Sequence, residues 1–288
     1  MTLRLGDYRD LISLDSPIAP ILSDSDRESV EKKVLAYLLD EFGKPFPVEL
    51  PRRQLIQSLL TVRSPEPLPF DIQGSIDTLL KMESCNKHVV DASRFPRLSD
   101  LGFENSYCAL WQGDITTIRI DAIVNAANSA LLGCFIPFHG CVDNAIHTAA
   151  GPRLRQDCHA IMKKQGSLEP TGATKITRAY NLPSNYVLHT VGPIISGHVS
   201  EENDRELQSC YRSCLNLAAK IEAIRSIAFC SISTGIFGFP QNRASQVAVR
   251  TVNQWLKDNP GQIDLVVFNV FSDTDKECYV NAFRKYLS

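Results

Sequence analysis

The chain has 288 residues, of which 44% are hydrophobic and 22% are charged. This composition is typical of globular proteins, and the length suits one large domain or two smaller ones. The formal net charge of −2 argues against a nucleic-acid-binding surface that works by bulk electrostatics, since such domains carry a strong basic excess. We therefore expect no DNA or RNA partner.

The sequence also argues against export and membrane insertion. Residues 1–20 contain several charges and no continuous apolar core of signal-peptide length. No window approaches the run of about 18 apolar residues that a membrane helix needs. The nine cysteines are odd in number and scattered, which suits a reducing compartment. We expect a soluble cytoplasmic protein without a membrane partner.

The first hundred residues have a helical pattern. Apolar residues recur at helical spacing over residues 25–42, in a segment that begins at Pro51, and over residues 71–82. A proline-rich connector at residues 64–69 separates the last two. The pattern predicts a small helical N-terminal extension over residues 1–95, and this extension has no catalytic motif.

From about residue 101 the pattern alternates between strands and helices. Such alternation predicts an α/β domain over residues 96–288, a three-layer α/β/α arrangement with a central mixed or mostly parallel sheet. Its ligands should bind at the carboxyl ends of the strands. The predicted strands are 106–111, 122–125, 173–177, 186–191, 227–232 and 265–270, and the predicted helices are 142–164, 204–221, 243–256 and 274–286.

Two polar motifs follow the first predicted strands. Asp114, in Gly113-Asp114-Ile115-Thr116, could accept a hydrogen bond from an exocyclic amine such as that of adenine, although a Gly-Asp pair after a strand is commonly only a turn. Asn125 and Asn128 come at the end of the next strand. An asparagine donates and accepts at once, so the pair could hold a sugar diol or a water, or could cap the turn. Asn128 is the better candidate for a ligand contact.

The segment from Gly133 to Cys141 places two thiols and an imidazole in a turn-rich loop, with Cys134, His139 and Cys141 in Cys-x4-His-x-Cys spacing. These donors suit Zn²⁺. With no fourth ligand nearby in the sequence, the tetrahedron would keep a vertex for water or substrate, which is typical of catalytic zinc. A coincidence of residue types is the alternative, because the chain has nine cysteines and six histidines.

The helix that follows the cysteine-histidine loop begins with two further polar candidates. Asp143 lies near its amino end, where the helix dipole stabilises a negative charge, so it is either a catalytic helper or a structural cap. His147 is one turn further on the same face. We expect it to be packed, or to support a ligand, rather than to be a fourth ligand.

The last motif is a glycine-punctuated loop between a strand and a helix. Glycines let backbone amides close on an anion, and the positive end of the following helix adds to the attraction. The loop lacks the lysine of a Walker motif, so a diphosphate would be held rather than transferred; an ordinary connection is the alternative. Phe237 and Phe239 could stack on a ligand or cover the core. The cradle residues are Ser233, Thr234, Gly235, Ile236 and Phe237.

The four motifs in this order resemble the macrodomain family of ADP-ribose-binding modules, and specifically its zinc-dependent branch of protein ADP-ribosyl hydrolases. The match covers about residues 100–288. In the commoner macrodomains a glycine run follows the two asparagines, and here the cysteine-histidine loop replaces it. The motifs are Gly113-Asp114-Ile115-Thr116, Val124-Asn125-Ala126-Ala127-Asn128, the loop with Asp143-Asn144-Ala145-Ile146-His147, and Ser233-Thr234-Gly235-Ile236-Phe237-Gly238.

The resemblance implies a macrodomain-like fold and a role for each matching residue. It implies adenine recognition by Asp114 with Ile115, contact between Asn128 and the distal ribose, and a helper role for Asp143. Cys134, His139 and Cys141 would ligate zinc, and the loop from Ser233 to Phe237 would hold the diphosphate. The implied activity is removal of mono-ADP-ribose from a modified protein.

Two other functions share some of these residues. A reader would bind ADP-ribose on its partners without cleaving it, and zinc would only brace the loop. A structural zinc knuckle in a nucleic-acid-binding protein is disfavoured by the slight negative charge and by the lack of a second Cys/His pair.

Overall fold

A computed structural model describes residues 2–18, 26–43 and 50–288. The predicted helical N-terminal region is present: α1 (Leu5–Tyr8), α2 (Arg27–Phe42), α3 (Arg52–Val62) and α4 (Phe70–Asn86). Asp26 caps α2 by accepting a hydrogen bond from the backbone N–H of Ser29. Ser25, which we predicted to begin this helix, lies outside the described residues.

The N-terminal region packs in two ways. Helices α2, α3 and α4 bury their apolar faces against one another in a cluster of their own, with Val34, Leu38, Ile56, Leu59 and Ile76 at its centre. The first residues of the chain instead join the main core, which includes Tyr8, Ile12 and Leu14.

A mixed sheet forms the centre of the rest of the chain. The strands are β1 (Val90–Asp91), β2 (Cys108–Gln112), β3 (Ile118–Arg119), β4 (Ala122–Ala127), β5 (Thr174–Arg178), β6 (Tyr186–Val191), β7 (Ser226–Phe229) and β8 (Leu265–Val270). Among the described residues, six of them pair in the order β2-β8-β7-β4-β6-β5, and β1 pairs with β3 separately. Only the β5–β6 pairing in the large sheet is antiparallel.

Helices cover this sheet, which confirms the predicted three-layer arrangement. They are α5 (Val142–Ala150), α6 (Pro152–Gln165), α7 (Glu201–Ala218), α8 (Gln241–Asp258) and α9 (Asp273–Tyr286). Helix α5 contacts β4, and α6 contacts β5. Helix α7 contacts β5 and β6, and α9 contacts β2 and β8. Helix α8 packs between α7 and α9. Strand β8 is buried along its whole length, as expected for a central strand covered on both faces.

The prediction of one helix over residues 142–164 was wrong, because the structure has two helices there. Gly151 has φ +91°, a conformation that favours glycine, and its N–H closes the end of α5 on the carbonyl of His147. Pro152 then begins α6, where its missing N–H costs nothing. The Gly-Pro pair therefore divides the segment.

No helix in the described parts of the chain has both the length and the apolar character needed to cross a bilayer.

Candidate functional site

A cleft of about 1430 Å³ opens at the carboxyl ends of β2, β4, β7 and β8. This is where an α/β sheet is expected to bind its ligands. On one side, the cleft is bounded by the N-terminal region, through Arg53, Gln57, Glu83, Ser84 and Lys87. All the predicted site residues line it: Asp114, Ile115, Asn128, Cys134, His139, Cys141, Asp143, Ser233, Thr234, Gly235, Ile236 and Phe237.

The turn after β2 presents a carboxylate to this cleft. One oxygen of Asp114 accepts hydrogen bonds from the backbone N–H and the hydroxyl of Thr116, at 2.9 and 2.7 Å, so the residue does cap its turn. The side chain is nevertheless exposed, and Ile115 beside it is buried. The turn fixes the carboxylate, and its second oxygen is available to a ligand.

Asn125 of β4 and Asn128, which directly follows this strand, differ in their environment. Asn125 is fully buried and does not cap the turn; its Nδ2 donates to Oδ1 of Asp143 at 2.7 Å. Asn128 is half-buried, and its Nδ2 donates to the carbonyl of Gly133 at 2.9 Å and lies 3.5 Å from Oδ2 of Asp143. Strand β4 therefore holds Asp143, and the residue that follows the strand holds the first residue of the cysteine-histidine loop.

Asp143 is 6% exposed and lies in the first turn of α5. Burial raises its pKa to about 6, while the hydrogen bond from Asn125 and the charge of Arg155 act in the opposite direction. A carboxylate with a pKa near neutrality, held in one orientation, can accept a proton or orient a water.

The cysteine-histidine loop brings its three predicted ligands together. The Sγ atoms of Cys134 and Cys141 and a ring nitrogen of His139 all lie within 4.8 Å of one another, and no further His, Cys, Asp or Glu of the described residues joins them. The distance from Cys134 Sγ to His139 Nδ1 is 3.6 Å. Tetrahedral zinc with ordinary Zn–S and Zn–N bonds would separate these atoms by about 3.6 Å. The donor set therefore fits a zinc ion.

Backbone groups support both sulfurs. The N–H of Ile136 donates to Cys134 Sγ, and the N–H of Asn144 donates to Cys141 Sγ, each at 3.4 Å. Cys141 is the N-cap of α5. Burial raises the pKa of its thiol to about 11, so ionisation of this thiol requires a nearby cation as counter-charge.

The loop after β7 has the backbone expected of an anion cradle. Ser233 has φ +66°, in a region that few residues other than glycine adopt, and its carbonyl accepts from the N–H of Phe239. Ile236 is 75% exposed in the cleft, whereas Phe239 is buried in the core. Gln241, which begins α8, also lines the cleft, so the positive end of this helix faces it.

As we predicted, His147 is not part of the cysteine-histidine trio. It is buried beside Cys158 and His189, whose potential ligand atoms lie within 4.8 Å of one of its ring nitrogens. Its Nε2 lies 3.5 Å from Oδ1 of Asp143. Burial lowers the pKa of His147 well below its usual value, so the ring is neutral and supports the loop by packing.

Sequence reasoning missed two parts of the cleft. Phe271, Ser272 and Asp275 follow β8 and line it, with the Phe271 ring 78% exposed. The signal available in the sequence was an aromatic residue directly after the predicted strand 265–270. The second part is the wall formed by the N-terminal region, which only tertiary packing reveals.

Comparisons with known proteins agree with this architecture. A protein-ADP-ribose hydrolase of Treponema medium is 45% identical over 255 residues, which cover 85% of this chain and 95% of the relative. The family model described as Macro domain matches residues 124–248. The chain belongs to the macro domain family.

Solved macrodomains extend the likeness to three dimensions. A macrodomain variant of Oceanobacillus iheyensis with ADPR is 37% identical, with a TM-score of 0.57, and covers 63% of this macrodomain chain and 95% of its own. A Trypanosoma brucei macrodomain in complex with ADP-ribose is 27% identical, with a TM-score of 0.59. The match covers 89% of the present chain and 96% of the Trypanosoma brucei chain. The second alignment therefore includes part of the N-terminal helical region.

Proposed function

We propose that this macrodomain is a zinc-dependent hydrolase that removes mono-ADP-ribose from modified protein side chains and releases ADP-ribose. The observation that carries the proposal is the convergence of the potential ligand atoms of Cys134, His139 and Cys141 in the cleft that also contains the motifs predicted to bind the nucleotide. The name of the Treponema medium relative, a protein-ADP-ribose hydrolase, supports the activity. All nine cysteines lie within the described residues and are free, which suits a cytoplasmic location.

The chain's own residues would bind and orient the substrate. Asp114 and Ile115 would contact the adenine, and the loop from Ser233 to Phe237 with the amino end of α8 would hold the diphosphate. Binding energy from this part of the substrate can orient the distal ribose against the cysteine-histidine loop. Asn128 and Asp143 would then hold the ribose and the attacking water.

Zinc, when bound by Cys134, His139 and Cys141, would supply a Lewis acid that polarises a substrate oxygen, softened by the charge of two thiolates. Asp143, which follows the cysteine-histidine loop, is the group that can accept a proton. Asn125 fixes one of its carboxylate oxygens, and the other oxygen lies toward Asn128. The hydrogen bond from Asn128 to the carbonyl of Gly133 fixes the start of the loop relative to the Asn128 side chain, which would contact the ribose.

The test is to incubate zinc-loaded protein with substrates ADP-ribosylated on acidic residues, serine or arginine, and to measure the ADP-ribose released. Cys134→Ala and His139→Ala should abolish release while keeping some ADP-ribose binding. Chelation should do the same, and added zinc should restore release. Cys278→Ala is the matched control, because this half-buried cysteine of α9 does not line the cleft.

A reader that binds ADP-ribose without cleaving it would give a different result. Wild-type protein would bind ADP-ribose but release none from any of the three substrates. Unchanged release by metal-free protein would instead reject the role of zinc.

A further inference from the structure

Arg155 of α6 contacts the end of a helix in the N-terminal region. Its Nη1 donates to the carbonyl oxygens of Thr61 and Arg63 at 2.9 Å and lies 3.2 Å from the carbonyl oxygen of Leu60. These are carbonyls at the carboxyl end of α3, where a helix leaves acceptors unpaired and attracts positive charge. Arg155 is only 7% exposed, so this contact is an interior one.

The same guanidinium contacts the cysteine-histidine loop. Its Cζ lies 4.4 Å from the ring centroid of Phe135, a cation–π contact. Phe135 directly follows Cys134 and lies within the loop that carries all three potential metal ligands. A chain of direct contacts therefore runs from α3 through Arg155 to Phe135, the residue next to the potential metal ligand Cys134.

The charge of Arg155 also interacts with the charge of Asp143, which lines this end of the cleft. Burial lowers the pKa of its guanidinium, and the negative charge of Asp143 opposes that lowering. A cavity between α3 and helices α5 and α6 has Arg155 in its wall together with Thr61, Arg63, Asn144 and His147. The N-terminal region thus meets the α5–α6 pair beside the loop.

We propose that Arg155 is a positioning residue that couples α3 to the cysteine-histidine loop, so that the helical N-terminal region is part of the support of the metal site. This inference rests on the proposed function for the identity of the metal. It assigns the N-terminal region a role that its own sequence, without a catalytic motif, does not indicate.

The test compares zinc affinity in matched variants of the full-length protein, measured by competition with a chromophoric chelator. Phe135→Leu keeps an apolar side chain but removes the ring that faces Arg155. Phe138→Leu is the control: Phe138 has a similar exposure, 48% against 41%, and no lysine or arginine of the described residues lies over its ring. Phe135→Leu should weaken zinc binding about tenfold, equivalent to about 1.4 kcal/mol, and Phe138→Leu should not.

Two further measurements separate positioning from general stability. The cobalt-substituted Phe135→Leu protein should have an altered visible absorption spectrum, because the ligand geometry changes, while its melting temperature stays close to that of the control. Arg155→Ala should weaken zinc binding by at least as much, and the double variant should be no worse than Arg155→Ala alone. If Arg155→Ala fails to fold, the Phe135→Leu comparison still decides the question.

Equal zinc affinities for Phe135→Leu and Phe138→Leu would overturn the coupling, whatever the activity. Wild-type protein that binds zinc but releases no ADP-ribose would instead contradict the proposed function, and the affinity comparison would still decide the coupling. The two proposals therefore fail by different measurements.

Discussion

Gly133 begins the cysteine-histidine loop, and its replacement by alanine gives the sharpest test of how that loop is held. Gly133 has φ +78°, in the region that disfavours every residue with a Cβ. A Cβ built at this position lies 2.8 Å from Cγ of the His147 ring and 2.9 Å from its Cδ2. Both the backbone and the space around it therefore require glycine.

The expected cost is the sum of these two effects. An alanine in the left-handed region costs about 1 kcal/mol. Overpacking against a buried ring costs about 1 to 3 kcal/mol. His147 is 6% exposed, so its ring cannot move into solvent. We expect Gly133→Ala to lower the free energy of unfolding by about 2 to 4 kcal/mol, which corresponds to a melting-temperature loss on the order of 3 to 7 °C for a chain of this length.

Gly140→Ala is the matched control in the same loop. Gly140 has no positive φ, and a Cβ built there meets nothing within 4 Å. Thermal unfolding of both variants, followed by circular dichroism, measures the difference, and zinc content measured on the same samples reports the loop itself. If the two variants melt within about 1 °C of each other, the packing argument around Gly133 is wrong.

Three further predictions test other parts of the molecule. Asp114→Ala should weaken ADP-ribose binding roughly 10- to 100-fold by calorimetry, because a hydrogen bond to a charged group is worth about 1.5 to 3 kcal/mol; unchanged affinity would put the adenine assignment in error. Burial raises the pKa of Asp157, which accepts from the Tyr180 hydroxyl, to about 6. Asp157 should therefore lower the free energy of unfolding by up to about 3 kcal/mol as the pH rises from about 4 to 6, since it ionises there only in the unfolded state. In denaturant titrations, Asp157→Asn should reduce the total fall over this range by that amount. Lys175 donates to both oxygens of buried Glu169 at 2.6 and 2.7 Å. Lys175→Met should cost about 3 to 5 kcal/mol in the free energy of unfolding, and adding Glu169→Gln should recover most of it; a loss below about 1 kcal/mol would show that the pair matters little.

The sequence predicted the central strands well, for a physical reason. The predicted bounds of β6 and β8, residues 186–191 and 265–270, agree with the structure, because continuous apolar runs of strand length have few alternatives. The break between α5 and α6 was equally visible as Gly151-Pro152, and we missed it by following the helical periodicity through it. Local chemistry therefore outweighed periodicity at that point.

The motifs of the site could be found from the sequence, but their mutual contacts could not. The sequence left open whether Asn125 contacts a ligand or caps a turn, and in the structure it reaches across to Asp143, 18 positions away. Arg155 had no motif at all, although it joins the N-terminal region to the loop. Such contacts depend on how a strand end and two helices pack, and residue spacing carries no information about that packing.

The cysteine-histidine loop has little regular structure, so its shape depends on side-chain contacts. Asn128 holds the carbonyl of Gly133 at one end, and Asn144 holds the carbonyl of His139 at the other, each at 2.9 Å. The Phe135 ring is packed against Arg155 between them. A structural zinc site normally supplies such restraint itself through four protein ligands, and its small domain unfolds without the metal. Here protein contacts supply the restraint and three side chains would supply the ligands, so a zinc ion would be free to use its remaining coordination on the substrate. This favours a hydrolase over a reader in which zinc only braces the loop.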